Sequence, residues 1–452
     1  MKRQHPATSQ PRNLGTAEPS NPATQQPQYP INHPGSPRAS GRLVKIAFIE
    51  FAGKGGMTHY AFQLCRALAA AGEDVILVTE HVYELEELPH NFRVDRSIDI
   101  WDPKPQGRLS TSKLAVFGRK IRRVGRAVRN YREWLRVVGR VGKMKPDVVL
   151  LGDVRFPFDL FPLMLLARKA RVFADICHNV HPYSAGGKSG GLFDRSAWRG
   201  WFYRRIYHLF DVVFVHFQRN RDEFAATFGV APEKIGVIVH GNEGIFELLR
   251  APDVNASTLR RRLGIGDEPV VLFFGTLSRY KGTDILLQAF PRIHRETGAK
   301  LVLAGYPFHD FDVDEHRALA AKLGISDSVV WVPEYLDSRE VAAWMELASV
   351  MVLPYRDIYQ SGAIHVAQTF GVPIVASAIG AMQDVIEHEE SGLLVPPENP
   401  DALGDAILRL LQDRGLAKRL GARAAEDARG PFSWEAIAAT ILSALRRAAA
   451  TR

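Results

Sequence analysis

The sequence is poor in cysteine and has no long apolar run, and each absence excludes a class of protein. Cys65 and Cys177 are the only cysteines among 452 residues, and both lie in apolar surroundings in the sequence. A secreted, disulfide-stabilised scaffold is therefore excluded, and the cytosol is the expected compartment. Because nothing approaches the run of about 20 apolar residues that crosses a bilayer, we also expect no transmembrane segment.

Residues 1–40 have almost no large apolar side chains. They contain eight prolines and many Ser, Gln, Asn and Thr residues. Such a segment cannot bury enough apolar surface to fold, so we predict a disordered tail. It also lacks the apolar stretch of a secretory signal, which agrees with a cytoplasmic location.

Acidic residues are scarce in residues 104–145. This stretch holds fourteen Lys or Arg and one acid, a net charge of +13, whereas the whole chain carries +9. Apolar residues recur there at spacings of three and four, which predicts an amphipathic helix over about residues 112–141. The predicted apolar stripe consists of Leu114, Phe117, Ile121, Val124, Val128, Tyr131, Leu135 and Val138.

This basic helix has three interpretations. We favour attraction of residues 104–145 to an anionic membrane surface, worth roughly 1 kcal/mol per basic residue near the lipid. The basic and aromatic segment Trp198–Arg205 fits that interpretation, since Trp and Tyr prefer the headgroup region. A helix packed on the domain with a solvated basic face is the alternative. Nucleic acid is not expected as a partner, because no nucleic-acid-binding module accompanies the charge.

Apolar strands alternate with helices along the rest of the chain and predict two consecutive α/β units. Residues 41–245 would form an N-terminal α/β domain and residues 266–430 a C-terminal one, with a linker at 246–265 and a final helix within 431–452. The predicted strands lie at 43–50, 74–79, 147–151, 170–175, 212–215, 235–239, 270–274, 300–304, 329–332, 350–353 and 373–376.

Two segments of the second unit suit a phosphate-bearing ligand. In Val270–Gly282 a strand runs into a loop that carries Lys281, and in Tyr359–Ala376 a Gln-Ser-Gly turn begins a short helix. Glycine lets the backbone approach a ligand closely, and the amides at a helix N-terminus hold phosphate oxygens. A nucleoside-diphosphate sugar is therefore the predicted co-substrate. No metal-ligand spacing is present, so neither a metal nor another cofactor is expected.

The order of these motifs resembles that of the GT-B glycosyltransferases, specifically glycosyltransferase family 4, over about residues 43–449. The resemblance implies two Rossmann-like domains facing across a cleft, with the donor bound by the C-terminal domain and the acceptor by the N-terminal one. It also implies that the last helix crosses back to the first domain. The motifs that carry it are Lys54–Tyr60, Cys177–Tyr183, Asp211–His216, Val239–Asn242, Phe274–Gly282, Val352–Tyr355 and Gln360–Ser377.

Lys281 is the main candidate for stabilising the negative charge that develops on the departing diphosphate. Arg279 would assist it, and exposed cations at a helix entry are the structural alternative for both. A plain N-cap turn would equally explain Gln360–Gly362. The predicted donor-binding residues are Gly275, Thr276, Arg279, Lys281, Tyr306, Glu334, Gln360, Ser361, Gly362 and Ala363, of which Tyr306 and Glu334 are placed near the base by the resemblance.

On the acceptor side the candidates are His178, Gly55 and Gly56. His178 follows an apolar strand, where open α/β sheets place functional groups. The resemblance implies that His178 lies near the transferred sugar and helps to orient it, and that the Gly55-Gly56 loop borders acceptor and diphosphate. We therefore predict Lys281 and His178 as the catalytic residues. A structural histidine and a plain glycine turn remain the alternatives.

The sequence departs from the family pattern at three positions. Many members carry two glutamates eight positions apart, where this chain has Ile358 and Val366, and an arginine where it has Thr276. The chain resembles a branch with Gln-Ser-Gly in place of the paired glutamates. These departures leave the sugar, the base and the stereochemical outcome open, although the resemblance favours retention of anomeric configuration.

The sequence therefore predicts a glycosyltransferase that moves a hexosyl residue from a nucleoside-diphosphate sugar to a polyprenyl-diphosphate-linked or other glycan acceptor in surface polysaccharide assembly. We expect it to be cytoplasmic and peripheral on the inner face of the cytoplasmic membrane. A non-catalytic partner protein that kept the fold, or another activated-sugar enzyme such as an epimerase, is the alternative.

Overall fold

The computed structural model describes residues 44–99, 113–180, 197–358 and 360–451. Within these ranges, side chains are described except at 113–128 and 197–199. The predicted tail, residues 1–40, lies outside the described residues, as does the part of the basic segment before residue 113.

The first sheet has seven parallel strands in the order β3-β2-β1-β4-β5-β6-β7. The central strands are buried along their whole length because helices cover both faces of the sheet. The strand order reverses between β1 and β4, which opens a crevice at their carboxyl ends. The strands are β1 (Lys45–Ile49), β2 (Asp74–Glu80), β3 (Arg93–Ile98), β4 (Val148–Leu151), β5 (Val172–Cys177), β6 (Val212–His216) and β7 (Ile235–Ile238).

The second sheet has six parallel strands in the order β10-β9-β8-β11-β12-β13. Its order reverses between β8 and β11, so this sheet also has a crevice at the carboxyl ends of its central strands. The strands are β8 (Val270–Phe274), β9 (Lys300–Ala304), β10 (Val329–Val332), β11 (Val350–Leu353), β12 (Ile374–Ser377) and β13 (Leu393–Val395). The predicted architecture of two Rossmann-like α/β domains is confirmed.

Helices connect the strands and cover the sheets. They are α1 (Gly56–Ala70), α2 (Lys113–Met144), α3 (Leu160–Ala167), α4 (Ala197–Tyr207), α5 (Gln218–Phe228), α6 (Ile245–Leu248), α7 (Ala256–Leu263), α8 (Thr283–Thr297), α9 (Val313–Lys322), α10 (Val341–Leu347), α11 (Gly362–Thr369), α12 (Gly380–Val385), α13 (Pro400–Gln412), α14 (Arg414–Arg429) and α15 (Trp434–Ala450). The segment predicted as a linker, 246–265, thus contains most of α6 and all of α7, and Leu259 and Ile265 within it are buried in the core of the second sheet.

The last helix, α15, crosses back to the first sheet as predicted. It begins at Ser433, whose hydroxyl accepts the amide proton of Ala436. Its apolar side chains recur at helical spacing and pack with α1 on one face of the first sheet, in the same core as Phe48. Arg446 adds an ion pair with Glu73 at 2.6 Å. The last helix therefore contributes part of the first core.

Two strands were not predicted, β3 and β13. Strand β3 reads Arg-Val-Asp-Arg-Ser-Ile and is mostly half-buried, and β13 is three residues long. Both lie at sheet edges, where one side has no neighbouring strand and less apolar surface is buried. Periodicity in the sequence identifies buried strands, so it does not detect such edges.

Helix α2 begins and ends close to the predicted bounds, and over its described side chains, from residue 129 on, the predicted stripe is only partly buried. Trp134, Val137, Val138 and Val141 pack on the first sheet. The predicted stripe was wrong at Tyr131 and Leu135, which are 38% and 42% exposed. Tertiary packing on the strands and α3, rather than the sequence spacing, selects the buried face.

Candidate active site

The loop that follows β8 is shaped by glycines at the switch point of the second sheet. Gly275 has a φ of 115° and Gly282 a φ of 66°, both in the region that favours glycine. A Cβ on Gly282 would lie 2.0 Å from the carbonyl oxygen of Pro354, which follows β11. The loop after β8 therefore fits closely against the chain leaving β11.

Lys281 lies inside this loop and is only 7% exposed. Its Nζ donates to Thr276 Oγ1 at 3.0 Å and lies 5.3 Å from the ring centre of Tyr355. Among the described residues no carboxylate forms an ion pair with it, and burial lowers the pKa of the amine to about 8. A buried ammonium without a counter-ion favours binding of an anion.

The second predicted motif meets the first at this point. Ser361 is the N-cap of α11, and Gly362 and Ala363 form its first turn. A Cβ on Gly275 would lie 3.4 Å from Lys281 Nζ and 4.0 Å from the Cβ of Ala363. The first amides of α11 have no partners within the helix, and its dipole places partial positive charge there. Together, Lys281 and the first amides of α11 can hold a diphosphate.

Three predicted donor residues lie on the exposed rim of the second sheet. The side chain of Arg279 is 70% exposed and 4.0 Å from Glu315. Tyr306 is 49% exposed, and Glu334 is also exposed. The rim follows β8, β9 and β10, and the roles of these three residues stay predictions.

His178 follows β5 and is 5% exposed. Its Nδ1 lies 3.2 Å from His216 Nε2 and 3.2 Å from Gln360 Nε2, which precedes α11. Burial lowers the pKa of His178 to about 3, so the ring is neutral at physiological pH. The structure thus joins the predicted sugar-side histidine to the predicted donor loop.

Gly55 and Gly56 lie at the start of α1. Gly55 has a φ of 81°, and its amide donates to Glu84 Oε1 at 2.5 Å. The same carboxylate pairs with His59 Nε2 at 2.9 Å. No described atom lies within 4 Å of the position of a Cβ on Gly56, so this residue faces open space. Glu84 was not identified from the sequence.

Comparisons with known proteins agree with this geometry. Residues 54–241 match the model of Glycosyltransferase Family 4, and residues 268–413 match that of Glycosyl transferases group 1. The glycosyltransferase MJ1607 of Methanocaldococcus jannaschii is 30% identical over 85% of this chain and 92% of its own length.

The chain belongs to glycosyltransferase family 4. It is therefore a nucleotide-sugar glycosyltransferase, as predicted. A GDP-mannose-dependent alpha-(1-6)-phosphatidylinositol monomannoside mannosyltransferase of Mycobacterium tuberculosis is 30% identical over 63% of this chain and 73% of its own. A D-inositol 3-phosphate glycosyltransferase of Xylanimonas cellulosilytica is 31% identical, and the match spans 54% of this chain and 58% of that relative.

Solved structures share the GT-B fold of this glycosyltransferase. HepE of Anabaena, in complex with UDP and glucose, superposes with a TM-score of 0.63 at 19% identity over 89% of this chain and 99% of its own. Sucrose-phosphate synthase of Thermosynechococcus elongatus superposes with a TM-score of 0.62 at 24% identity over 90% and 99%. At these identities the likeness establishes the fold.

The glycosyltransferase buries apolar side chains at both positions where the family pattern has glutamates. Ile358 is 5% exposed and Val366 is 4% exposed. The nearest described carboxyl group at the start of α11 is instead Glu243, whose Oε1 lies 3.7 Å from the position of a Cβ on Gly362. Burial raises the pKa of Glu243 to about 8. This residue follows β7 in the sequence, and no spacing pattern pointed to it.

An aromatic cluster between the two sheets was also missed. The ring of Tyr60, on α1, makes edge contacts with His178, His240 and Trp434 at centroid distances of 4.8, 5.4 and 4.8 Å. His240 in turn stacks on His365 of α11 at 4.8 Å. These residues are far apart in the sequence, so only the fold brings them together.

The described residues contain no group of three His, Cys, Asp or Glu arranged to hold a metal. Nor does any described helix combine the length and apolar character needed to cross a bilayer. That the enzyme needs no metal stays a prediction.

Proposed function

We propose that this glycosyltransferase moves a hexosyl residue from a nucleoside-diphosphate sugar to a polyprenyl-diphosphate-linked or other glycan acceptor, with retention of anomeric configuration, in cell-surface polysaccharide assembly. It would act at the cytoplasmic face of the membrane. The donor part of this proposal depends on one observation. Lys281 is buried beside the start of α11 and has no carboxylate partner among the described residues.

Charge development explains how this site would act. As the glycosidic bond to the donor breaks, negative charge grows on the diphosphate and must be stabilised without water. Lys281 and the amides of Ser361, Gly362 and Ala363 converge on one region and would supply that stabilisation. His178 would face the sugar from the other domain. The bound UDP and glucose of HepE support a nucleotide-sugar donor of this kind.

The lipid-linked acceptor is supported by an apolar surface on the first domain. Tyr131 and Leu135 of α2 are joined by further exposed side chains on the neighbouring elements, and Tyr131 stacks on Phe161 at a centroid distance of 6.1 Å. We call this set the aromatic patch; it comprises Tyr131, Leu135, Phe158, Phe161, Met164 and Trp201, each 38% exposed or more.

Basic residues border the aromatic patch and give it a charge complementary to an anionic lipid surface. Arg132 makes no ion pair with a described residue, whereas Arg129, Arg136 and Arg140 pair with Asp99, Glu133 and Asp95. Exposed aromatic groups beside a basic residue such as Arg132 favour the interface of an anionic membrane. The mannosyltransferase relative, whose name specifies a phosphatidylinositol monomannoside, agrees with a membrane-bound acceptor.

Donor binding is tested first by thermal shift with UDP, GDP, ADP and dTDP and their common sugars. Saturation at 100 times Kd adds about 2.7 kcal/mol of stability. A shift with one nucleotide that is lost in Lys281→Ala supports the donor site and names the base. No shift with any nucleotide argues for the alternative, a non-catalytic partner in which Ile358 and Val366 mark lost turnover.

Membrane docking is tested with a matched pair of leucines. Leu135 in the aromatic patch is 42% exposed and Leu248 on α6 is 43% exposed. We expect Leu135→Ser to weaken binding to anionic vesicles about fivefold, since burial of the exposed part of a leucine contributes roughly 1 kcal/mol. Leu248→Ser should leave binding unchanged. Equal binding of the wild type to neutral and anionic vesicles would contradict the electrostatic part of the proposal.

A further inference from the structure

The imidazole of His178 is held from both sides of the cleft. Its Nδ1 lies 3.2 Å from the carboxamide nitrogen of Gln360 and 3.2 Å from Nε2 of His216. His216 ends β6 in the first domain, whereas Gln360 belongs to the donor loop of the second. The opposite ring nitrogen of His178, Nε2, is buried and has no hydrogen-bond partner among the described residues.

The direction of these hydrogen bonds decides where the proton of His178 lies. A carboxamide nitrogen can only donate, so Nδ1 of His178 must accept from Gln360. The ring is neutral and carries a single proton, which must then be on Nε2. His216 can donate to the same Nδ1 through its own Nε2–H. The Gln360 contact therefore selects one tautomer, and the His216 contact is compatible with it when His216 carries its own proton on Nε2. Nε2–H of His178 is then left without a partner among the described residues.

We propose that His216 and Gln360 are positioning residues that hold His178 in the tautomer with its proton on Nε2, ready to donate to a hydroxyl oxygen of the transferred sugar. This inference rests on the proposed function, because it takes the missing partner of Nε2–H to be that hydroxyl. A sugar hydroxyl accepts such a hydrogen bond through either lone pair.

The two contacts also couple the domains. Gln360 immediately precedes Ser361, the N-cap of the helix that would hold the diphosphate. Only when the donor loop approaches β5 and β6 does His178 have both partners. Alignment of His178 on the sugar would thus depend on the contact between the two domains.

The tautomer is measured directly by NMR of protein labelled with ¹⁵N in histidine, with His178→Gln assigning the signal. Protonated and unprotonated ring nitrogens differ in ¹⁵N shift, so the experiment needs no acceptor or turnover. We expect Nε2–H in the wild type. Gln360→Glu replaces the donor by a carboxylate that accepts, so the proton should move to Nδ1. Nδ1–H in the wild type would overturn the inference, whatever the enzyme transfers.

Kinetics then test whether the tautomer matters. His216→Phe keeps a ring of similar size but cannot donate, and His216→Gln places an amide N–H near the original Nε2. We expect His216→Phe and Gln360→Glu to lower kcat for donor hydrolysis or transfer about tenfold or more, the effect of losing one oriented hydrogen bond. His216→Gln should recover most of kcat, and the KM for the donor should change little in both His216 variants.

The outcomes separate this inference from the proposed function. An unchanged kcat in both His216→Phe and Gln360→Glu, with the tautomer inverted in the latter, would overturn the positioning role while leaving the enzyme intact. Thermal shift with nucleotides reports on donor binding through Lys281 independently. Loss of cooperative unfolding in His216→Phe but not in His216→Gln or Gln360→Glu would identify a folding defect, and the other two variants would still decide the question.

Discussion

The switch points of the two sheets carry buried groups of opposite charge type. Lys281 lies at the switch point of the second sheet, between β8 and β11, and Glu50 lies at that of the first, between β1 and β4. Glu50 accepts the amide proton of Ala52 at 2.8 Å and packs on Gly152, where a Cβ would lie 2.2 Å from its Oε2. Burial raises the pKa of Glu50 to about 7 and lowers that of Lys281 to about 8.

Further groups extend this difference. On β5 of the first sheet, Asp175 is fully buried, neither of its carboxylate oxygens has a partner among the described residues, and burial raises its pKa well above the usual range. The second switch point has the positive end of α11, which Glu243, a residue following β7 of the first sheet, also reaches. The two sheets share one topology but differ in charge. The predicted donor side has a buried cation, whereas the predicted acceptor side has buried carboxyl groups that keep their protons. A buried cation suits a diphosphate, and protonated carboxyl groups suit the hydroxyl groups of an acceptor.

We expect the largest effect from removing the buried cation of the second sheet. Lys281→Ala should lower kcat about 10²–10³-fold, the usual cost of removing one preorganised group that stabilises developing negative charge. Initial rates of donor hydrolysis or transfer measure it, with thermal unfolding as the folding control. A loss below threefold would show that α11 alone stabilises the diphosphate.

The next prediction concerns the acidic side. The folded protein keeps the proton on Glu50 up to a pH of about 7, whereas the unfolded chain releases it near the usual glutamate pKa of 4.5. The folded state then binds more protons between these values, so stability falls as pH rises through this window and is level above it. The shift corresponds to about 3 kcal/mol at most. Glu50→Gln should remove this loss.

Chemical unfolding at pH 5 and pH 8 checks the role of Glu50. The fall in the free energy of unfolding between the two pH values should be smaller in Glu50→Gln than in the wild type. Glu334→Gln, a change at an exposed glutamate, serves as the matched control and should leave the difference unchanged. If Glu50→Gln behaves like the control, Glu50 is ionised in the folded protein and the two switch points differ less than we infer.

The pH dependence of donor binding sharpens the comparison. Burial without a carboxylate partner lowers the pKa of Lys281 to about 8, so the free site loses its charge above that pH. A bound diphosphate favours the ammonium, and the affinity for a nucleotide sugar should fall about tenfold per pH unit above pH 8. Calorimetry from pH 7 to 9.5 measures this. Lys281→Arg, which stays charged, should bind with a flat profile; the same slope in that variant would assign the titration to another group.

We expect the smallest effect from a change at Arg279, on the exposed rim of the second sheet. Arg279 is well solvated and only loosely paired with Glu315. Because exposed ion pairs contribute little, Arg279→Ala should change kcat and the donor KM by less than about threefold. Steady-state kinetics beside Lys281→Ala provide the contrast. An effect as large as that of Lys281→Ala would place Arg279 on the diphosphate in the closed complex.

Much of the architecture could be predicted because buried parallel strands are short, continuous apolar runs bounded by turns. The switch-point loop with Gly275 and Lys281 was also predictable, since glycine and a lone lysine between strand and helix have few structural uses. The edge strand β3 was missed because it is polar and only partly buried, and β13 because its three residues are too few to show the pattern. The buried face of α2 was partly misassigned, as Tyr131 and Leu135 point outward while Trp134 packs inward.

By itself, the sequence determined the two-sheet plan, the loops at the carboxyl ends of the strands and the chemical types of Lys281, His178 and Gln360–Ala363. Local periodicity and backbone requirements are properties of neighbouring residues, so they can be read along the chain. Only the tertiary structure decided that Gln360 and His216 meet at one nitrogen of His178, that Glu243 lies at the start of α11 and that Tyr60 contacts Trp434. These contacts join residues up to hundreds of positions apart, and the pKa values of the site follow from burial, which no local pattern specifies.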